Sequence, residues 1–316
     1  MTPAELVGLL KPTTPDLSAR IGSIPKVWNG PNGKIAGRFH YVTFRDSKPV
    51  IDDLIQIAHA RMVNFIIPRS RINEVLSEAA SDVAAGDAWV LLTTEARDLF
   101  MKTKDETGRS GELGELLLYM LLEWVLKAPI VACKMYLKTA QQMPVHGTDG
   151  IHMGYENDNL IVYWGESKMH SKVSSALADI VGSVSKQLST PSKRANEVRI
   201  IRANMNLDGF DSAAKEAIKN YFNPYKPESN KLWDCHACLA GFDSKLYDDV
   251  GKQPADQCEA AFRDKYETMM DGVFKQILDK TSSAKLDDAR FSYFILPFPS
   301  VDMARARFQE KLWGTK

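Results

Sequence analysis

Between residues 111 and 126 the chain reads GELGELLLYMLLEWVL, and no other stretch restricts its folding so strongly. Ser110 can cap a helix that runs on through Lys127. Glu112 sits in its first turn, facing the positive end of the helix dipole, and Pro129 follows as a stop signal. Leu116, Leu117, Leu118, Leu121 and Leu122 surround this helix almost completely. A helix with one apolar stripe can lie on a surface, but a helix that is apolar nearly all round has to be covered on most sides. The run ends at Glu123, far short of the roughly 18 apolar residues that cross a bilayer. The rest of the chain must therefore build a layered core around it.

The other patterns say what those layers are. Residues 11 to 37, with KPTTPD and NGPNGKIAG, read as loop. Arg38 to Arg45 reads as a strand, and Asp52 to Val63, Ile72 to Ala85 and Thr93 to Phe100 read as helices. After the apolar helix come a short apolar segment, Ile130 to Leu137, and two runs, GTDGIHMGY and NLIVYWGESK, around Asn157-Asp158. Both turn residues tolerate positive φ, so these runs read as a hairpin. Val173, Leu177, Ile180, Val181, Val184 and Leu188 recur at helical spacing. Val198 to Met205 is ambiguous with a lean to helix, and Phe210 to Phe222 is helical. Leu232 to Phe242 and Phe291 to Leu296 are strand-like, while Asp256 to Leu278 and Val301 to Leu312 are helical. Interleaved strands and helices predict an α/β fold, a mixed sheet flanked by helices. The expected organisation is a helical and mixed N-terminal region over residues 1–104, suited to docking a partner, and a main domain over 105–316.

Charge and cysteine content narrow the function. The chain has 40 basic and 40 acidic residues among 316, which argues against a freely diffusing nucleic-acid coat protein. It leaves open an enzyme that touches a few phosphates or receives its substrate from a partner. The N-terminal MTPAELVGLLKPTTPD lacks the basic and apolar regions of a signal peptide, and the four cysteines then read as reduced thiols of a cytoplasmic protein with no membrane association.

Chemistry concentrates in the hairpin. Strand alternation puts Glu166 and Lys168 on one face, behind the apolar Val162 and Trp164. A two-residue turn at Asn157-Asp158 pairs residues whose numbers sum to 315, which sets Asp149 opposite Glu166. Like charges facing each other in a sheet are destabilising unless a cation lies between them. Mg²⁺ takes oxygen ligands and is commonly held by one or two carboxylates plus water and phosphate. Glu115 adds a carboxylate in the apolar helix, where a buried charge needs a partner. An acidic-x-Lys tripeptide occurs three times, at Asp46–Lys48, Glu166–Lys168 and Asp243–Lys245, but only the second follows an apolar strand and a hairpin bearing an Asp.

Simpler readings stand beside this one. Glu112 and Glu115 serve equally as first-turn acids, Lys168 as a solubilising strand-end charge, and His146, His152 and His170 as structural histidines. Cys235-His-Ala-Cys238 invites a zinc site, but too few further ligands are in view and WDCHACLAGF reads well as a buried strand. No Walker loop, H-E-x-x-H or G-x-S-x-G occurs, so any use of ATP belongs to a partner.

Glu115 on a helix, Asp149 in GTDGIH and Glu166-Ser167-Lys168 after an apolar strand resemble the PD-(D/E)xK (restriction-endonuclease-like) nuclease superfamily, with Thr148 in place of its variable proline. More of the chain, through GELGELLLYMLL, HGTDGIH, YWGESKMHSKVSSAL and FILPFPSVDMARARF, resembles the HamA family, the nuclease subunit of the Hachiman anti-phage defence system. The resemblance implies a cytoplasmic, metal-dependent DNA nuclease held in check by a HamB-type helicase and released on infection. The roles expected of the residues are these. Asp149 and Glu166 hold Mg²⁺ or Mn²⁺, with the Ser167 carbonyl as a further ligand. Glu115 completes the shell, with Glu112 as the fallback. Lys168 orients the attacking water and stabilises developing charge. His170, Lys172 and the following helix N-terminus are placed to hold a phosphate, and the basic residues from Lys168 to Arg202 to follow a nucleic-acid backbone. Two alternatives remain: a non-catalytic helicase-docking module with a nuclease fold, and a nuclease acting on RNA.

Overall fold

A computed structural model describes residues 2–9, 12–79, 81–102, 111–133, 149–190 and 212–314. Helices α1 (Pro3–Leu9), α2 (Ile51–Ala60), α3 (Met62–Ile66), α4 (Arg69–Ser77), α5 (Asp82–Lys102) and α6 (Glu112–Val125) occupy the first part of the chain. They are joined there by strands β1 (Ile21–Asn29), β2 (Ile35–Val42), β3 (Phe44–Arg45) and β4 (Lys48–Pro49). Then follow β5 (Ile130–Cys133), β6 (Gly150–Glu156), β7 (Asn159–His170), α7 (Val173–Leu188), α8 (Ser212–Tyr221) and β8 (Leu232–Asp243). The chain closes with α9 (Leu246–Val250), α10 (Ala255–Ser283), β9 (Phe291–Phe298) and α11 (Val301–Trp313). Among the described residues no helix is long and apolar enough to cross a membrane.

The fold is the α/β class expected. A seven-stranded sheet runs in the order β1-β2-β9-β8-β7-β6-β5. Strands β2, β9, β8 and β7 are mutually parallel, and antiparallel pairs close both ends. The parallel strands are covered on both faces, as such strands require. On one face α6 lies against β7, where Gly114 lets the helix approach so closely that a Cβ there would stand 3.1 Å from Ser167 Oγ. On the other face α1 and α8 cover Leu160, Val162 and Trp164, while α10 brings Phe274 against Gly37 and Tyr266 against Phe39.

Part of the expected organisation needs correcting. Residues 11 to 37, read as loop, contain β1 and the start of β2. The Pro, Gly and Asn residues misled because β1 is an edge strand, where Pro25 forfeits no ladder bond and a bulge between Ser23 and Val27 absorbs the irregularity. The helix expected over Ile72 to Ala85 is two helices, α4 and α5. Since β2 pairs with β9, residues on either side of position 104 share one sheet. The ambiguous Val198 to Met205 lies outside the described residues.

The apolar helix is buried as its composition demands, with Leu113 and every residue from Leu116 to Leu122 buried. The carboxylate in its last turn is explained by its partners. Glu123 is 0% exposed and accepts bonds from Thr13 N and Oγ1 at 2.8 and 3.0 Å, from Thr14 N and Oγ1 at 2.8 and 2.9 Å, and from Ile130 N at 3.3 Å. Those donors repay the desolvation of the charge and fasten the segment ahead of β1 to the core. Glu123→Ala strands them in a buried place and should lower the unfolding free energy by about 3–5 kcal/mol. Urea denaturation checks this, and Glu123→Gln should recover part of the loss.

Two buried histidines tie stability to pH. Burial pushes His40 down to about 3 and His152 down to about 4 from their ordinary 6.5. The unfolded chain therefore binds protons that the folded one refuses. Stability is fully present above pH 6.5 and falls as the pH drops toward 4. The melting temperature should decline by several degrees, roughly, across that window. Replacing either histidine with glutamine should flatten the slope if the protein still folds.

Candidate functional site

The hairpin that carries the site follows the register read from its turn. Asn157 and Asp158 have φ of 48° and 61°, and all six ladder pairs, from Glu156↔Asn159 to Ile151↔Trp164, sum to 315. Asp149 stands just ahead of β6, where the ladder has slipped by one residue and its N–H donates to the Gly165 carbonyl at 3.0 Å. Its carboxylate does not sit squarely across from Glu166. Instead Oδ2 accepts from Ser167 N at 3.1 Å and from Ser167 Oγ at 3.3 Å. The side chain of Asp149 completes the ladder where the backbone of β6 runs out.

Glu166 and Lys168 share one face, as strand alternation requires, and meet as an ion pair with Nζ 2.7 Å from Oε1. Glu166 is only 9% exposed. Burial alone would lower the Lys168 pKa, but the Glu166 carboxylate, and the Asp149 and Asp179 charges beyond it, hold it above the ordinary lysine value. Lys168 is therefore a permanent cation at neutral pH and a donor rather than a base.

Parallel pairing sets Glu166, Cys238 and Tyr293 side by side on β7, β8 and β9. Burial pushes the Cys238 thiol well above its usual range, and the Glu166 and Asp149 charges add to that rise while Lys168 opposes it. All three charges are thus felt at one buried atom, so the carboxyl half of β7 gathers Asp149, Glu166 and Lys168. Glu115, half-buried on α6, follows Gly114, whose helix turn rests on Ser167. Among the described residues no group of three or more His, Cys, Asp and Glu side chains is gathered closely enough to hold a metal ion, so Glu115 does not join Asp149 and Glu166 as a preformed ligand triad.

The donor chemistry nevertheless suits a hard cation. Asp149 and Glu166 offer oxygen ligands only, and Mg²⁺ is usually satisfied with one or two carboxylates plus water and phosphate. Glu112, 7% exposed, has an Oε2 with no hydrogen-bond partner among the described residues, a buried carboxyl oxygen in the first turn of α6.

The other expected residues divide. His170 Nε2 lies 2.9 Å from Asp179 Oδ2, so that nitrogen is engaged by α7 and not open to a phosphate. Lys172 is exposed and is the N-cap of α7, with no side-chain cap bond. His152 is buried with Nδ1 2.8 Å from the Ala128 carbonyl, a structural arrangement. His146, Lys193, Arg194, Arg199 and Arg202 lie outside the described residues. The other two acidic-x-Lys tripeptides have different duties. Asp46 sits at φ 51° in the turn between β3 and β4, and Asp243 Oδ1 accepts from Val301 N at 2.6 Å to cap α11.

Cys235 and Cys238 are buried in β8, three positions apart, and strand alternation turns them to opposite faces, which disposes of a shared zinc ion. Burial raises Cys235 to about 12. All four cysteines are buried. Native protein titrated with a disulfide reagent at pH 8 should show no fast-reacting thiol, and denatured protein should show four.

One residue escaped the sequence reading. Arg305 on α11 donates from Nη2 to the Met169 carbonyl at 2.7 Å, one residue beyond Lys168. Only its place in SVDMARARF hinted at it, since no local rule links an arginine near the C-terminus to a strand so far upstream.

No curated protein matches the chain. A model of the HamA family matches residues 23–312, which takes in the hairpin and nearly all of the sheet and α11. With nearly its whole length matched, the chain belongs to the HamA family, and with it to the Hachiman anti-phage defence system.

Proposed function

We propose that the protein is a metal-dependent nuclease that hydrolyses DNA phosphodiester bonds as the effector of a helicase-coupled defence system. The observation that carries this reading is the Glu166–Lys168 ion pair at the carboxyl end of a central strand, with a second carboxylate, Asp149, docked on the intervening Ser167. Crevices outside the carboxyl ends of parallel strands are the usual ligand sites of α/β sheets.

Each residue has a task. Asp149 and Glu166 hold a Mg²⁺ or Mn²⁺ ion, whose part when bound is Lewis-acid neutralisation of the phosphoryl oxygens. Ser167 holds Asp149 in position through both its N–H and its hydroxyl. Lys168 keeps its protons at Nζ, orients the attacking water and stabilises charge as it develops, the work of a fixed cation. Glu112 and Glu115 bring further negative charge to the start of α6, on the side of the sheet that meets Ser167. The balance of 40 basic and 40 acidic residues suits an enzyme that receives DNA from a HamB-type helicase and does not capture it alone.

The test is digestion of DNA by the full chain, with and without its helicase partner. Activity should appear in Mg²⁺ or Mn²⁺ and vanish in EDTA. Lys168→Ala and Asp149→Ala should each lower the rate by about 10²- to 10³-fold in protein that stays folded, with Asp149→Ala also lowering the melting temperature because Ser167 N–H loses its acceptor. Wild-type activity that persists in EDTA rules the reading out. RNA digested side by side decides between the two nucleic acids. Undiminished phage protection by Glu166→Ala would identify a docking module in place of an enzyme.

A further inference from the structure

We infer that Arg305 is a positioning residue for the site proposed above, its guanidinium holding the carboxyl end of β7, and Lys168 with it, in place. The inference rests on the nuclease reading and extends it to a residue far away in sequence.

The argument starts at the edge of the ladder. Odd-numbered residues of β7 turn their backbone groups toward β6, since the Gly165 carbonyl accepts from Asp149 N and Ser167 N–H is taken by the Asp149 carboxylate. By the same alternation the Met169 carbonyl points that way, beyond the start of β6 at Gly150. Arg305 Nη2 takes that carbonyl at 2.7 Å. The arginine side chain is 22% exposed, so the charge-assisted bond is largely shielded from water. On its other side β7 is paired with β8 as far as His170↔Phe242. Among the described residues, Asp149 and Arg305 thus take in turn the positions of β7 beyond its last pair with β6, and Lys168 lies between the two residues they hold.

The base from which Arg305 reaches is itself fixed. The start of α11 is tied to the end of β8 by Asp243 Oδ1, which accepts from Val301 N at 2.6 Å. Ser300 Oγ caps the helix by accepting from Met303 N at 3.2 Å. Phe308 and Leu312 are buried farther along. A side chain delivered from a capped and packed helix can set a position closely, which catalytic geometry demands.

The test compares Arg305→Ala, Arg305→Lys and Lys168→Ala in the full chain under the digestion conditions above. Arg305→Ala should lower kcat by about 10- to 100-fold and leave KM for DNA within about two-fold, because the catalytic cation is displaced while DNA binding is not. Arg305→Lys should recover part of kcat, since an ammonium can donate to the same carbonyl. Without metal or DNA, amide exchange over residues 166–170 should speed up about ten-fold in Arg305→Ala. If Arg305→Ala does not fold, Arg305→Gln, which keeps a neutral donor, serves for the same measurements. Unchanged kcat, unchanged exchange over 166–170, or an effect confined to KM overturns the inference. A dead Lys168→Ala beside an unimpaired Arg305→Ala defeats this inference alone. A fully active Lys168→Ala defeats the nuclease reading and the positioning role together.

Discussion

The molecule is organised by the need to bury α6. A helix apolar on nearly every side cannot rest on a surface, and here it is pressed between one face of the sheet and the short helices that precede it. The closeness of that packing depends on Gly114, which has no side chain to hold the helix away from Ser167. Through this contact the position of the apolar helix becomes the position of β7, and therefore of Glu166 and Lys168. The buried Glu123 at the far end of the helix serves the same end, because four of its five hydrogen-bond donors, on Thr13 and Thr14, draw the N-terminal segment over the core.

The site is an economical use of a strand end. Among the described residues strand β7 outruns its neighbour β6, and backbone groups left without partners in a protein interior are costly. A carboxylate covers one exposed position and a guanidinium the next, so the groups that finish the sheet also frame the charged pair. The ion pair between Glu166 and Lys168 holds the lysine protonated and oriented. In the nuclease proposed above, such preorganisation would cost nothing at the moment of reaction.

Much of this was legible in the chain. The apolar helix, the positive-φ turn at Asn157-Asp158, the hairpin register and the shared face of Glu166 and Lys168 all follow from short-range rules of periodicity and turn chemistry. The failures have physical reasons too. Strand β1 was hidden because an edge strand tolerates the proline and glycine that mark loops elsewhere. The slip at Asp149 was hidden because a ladder rule holds only while the backbone stays in the ladder.

Local pattern thus determined the elements, their alternating faces and the residues able to do chemistry, because those depend on neighbours within a few positions. Tertiary structure alone decided that β2 lies beside β9, that Cys238 sits beside Glu166, that Asp179 engages His170 and that Arg305 clasps the strand bearing Lys168. These juxtapositions join residues that no periodic rule connects. They are set by how whole layers pack around a common core, and that packing is a property of the assembled chain.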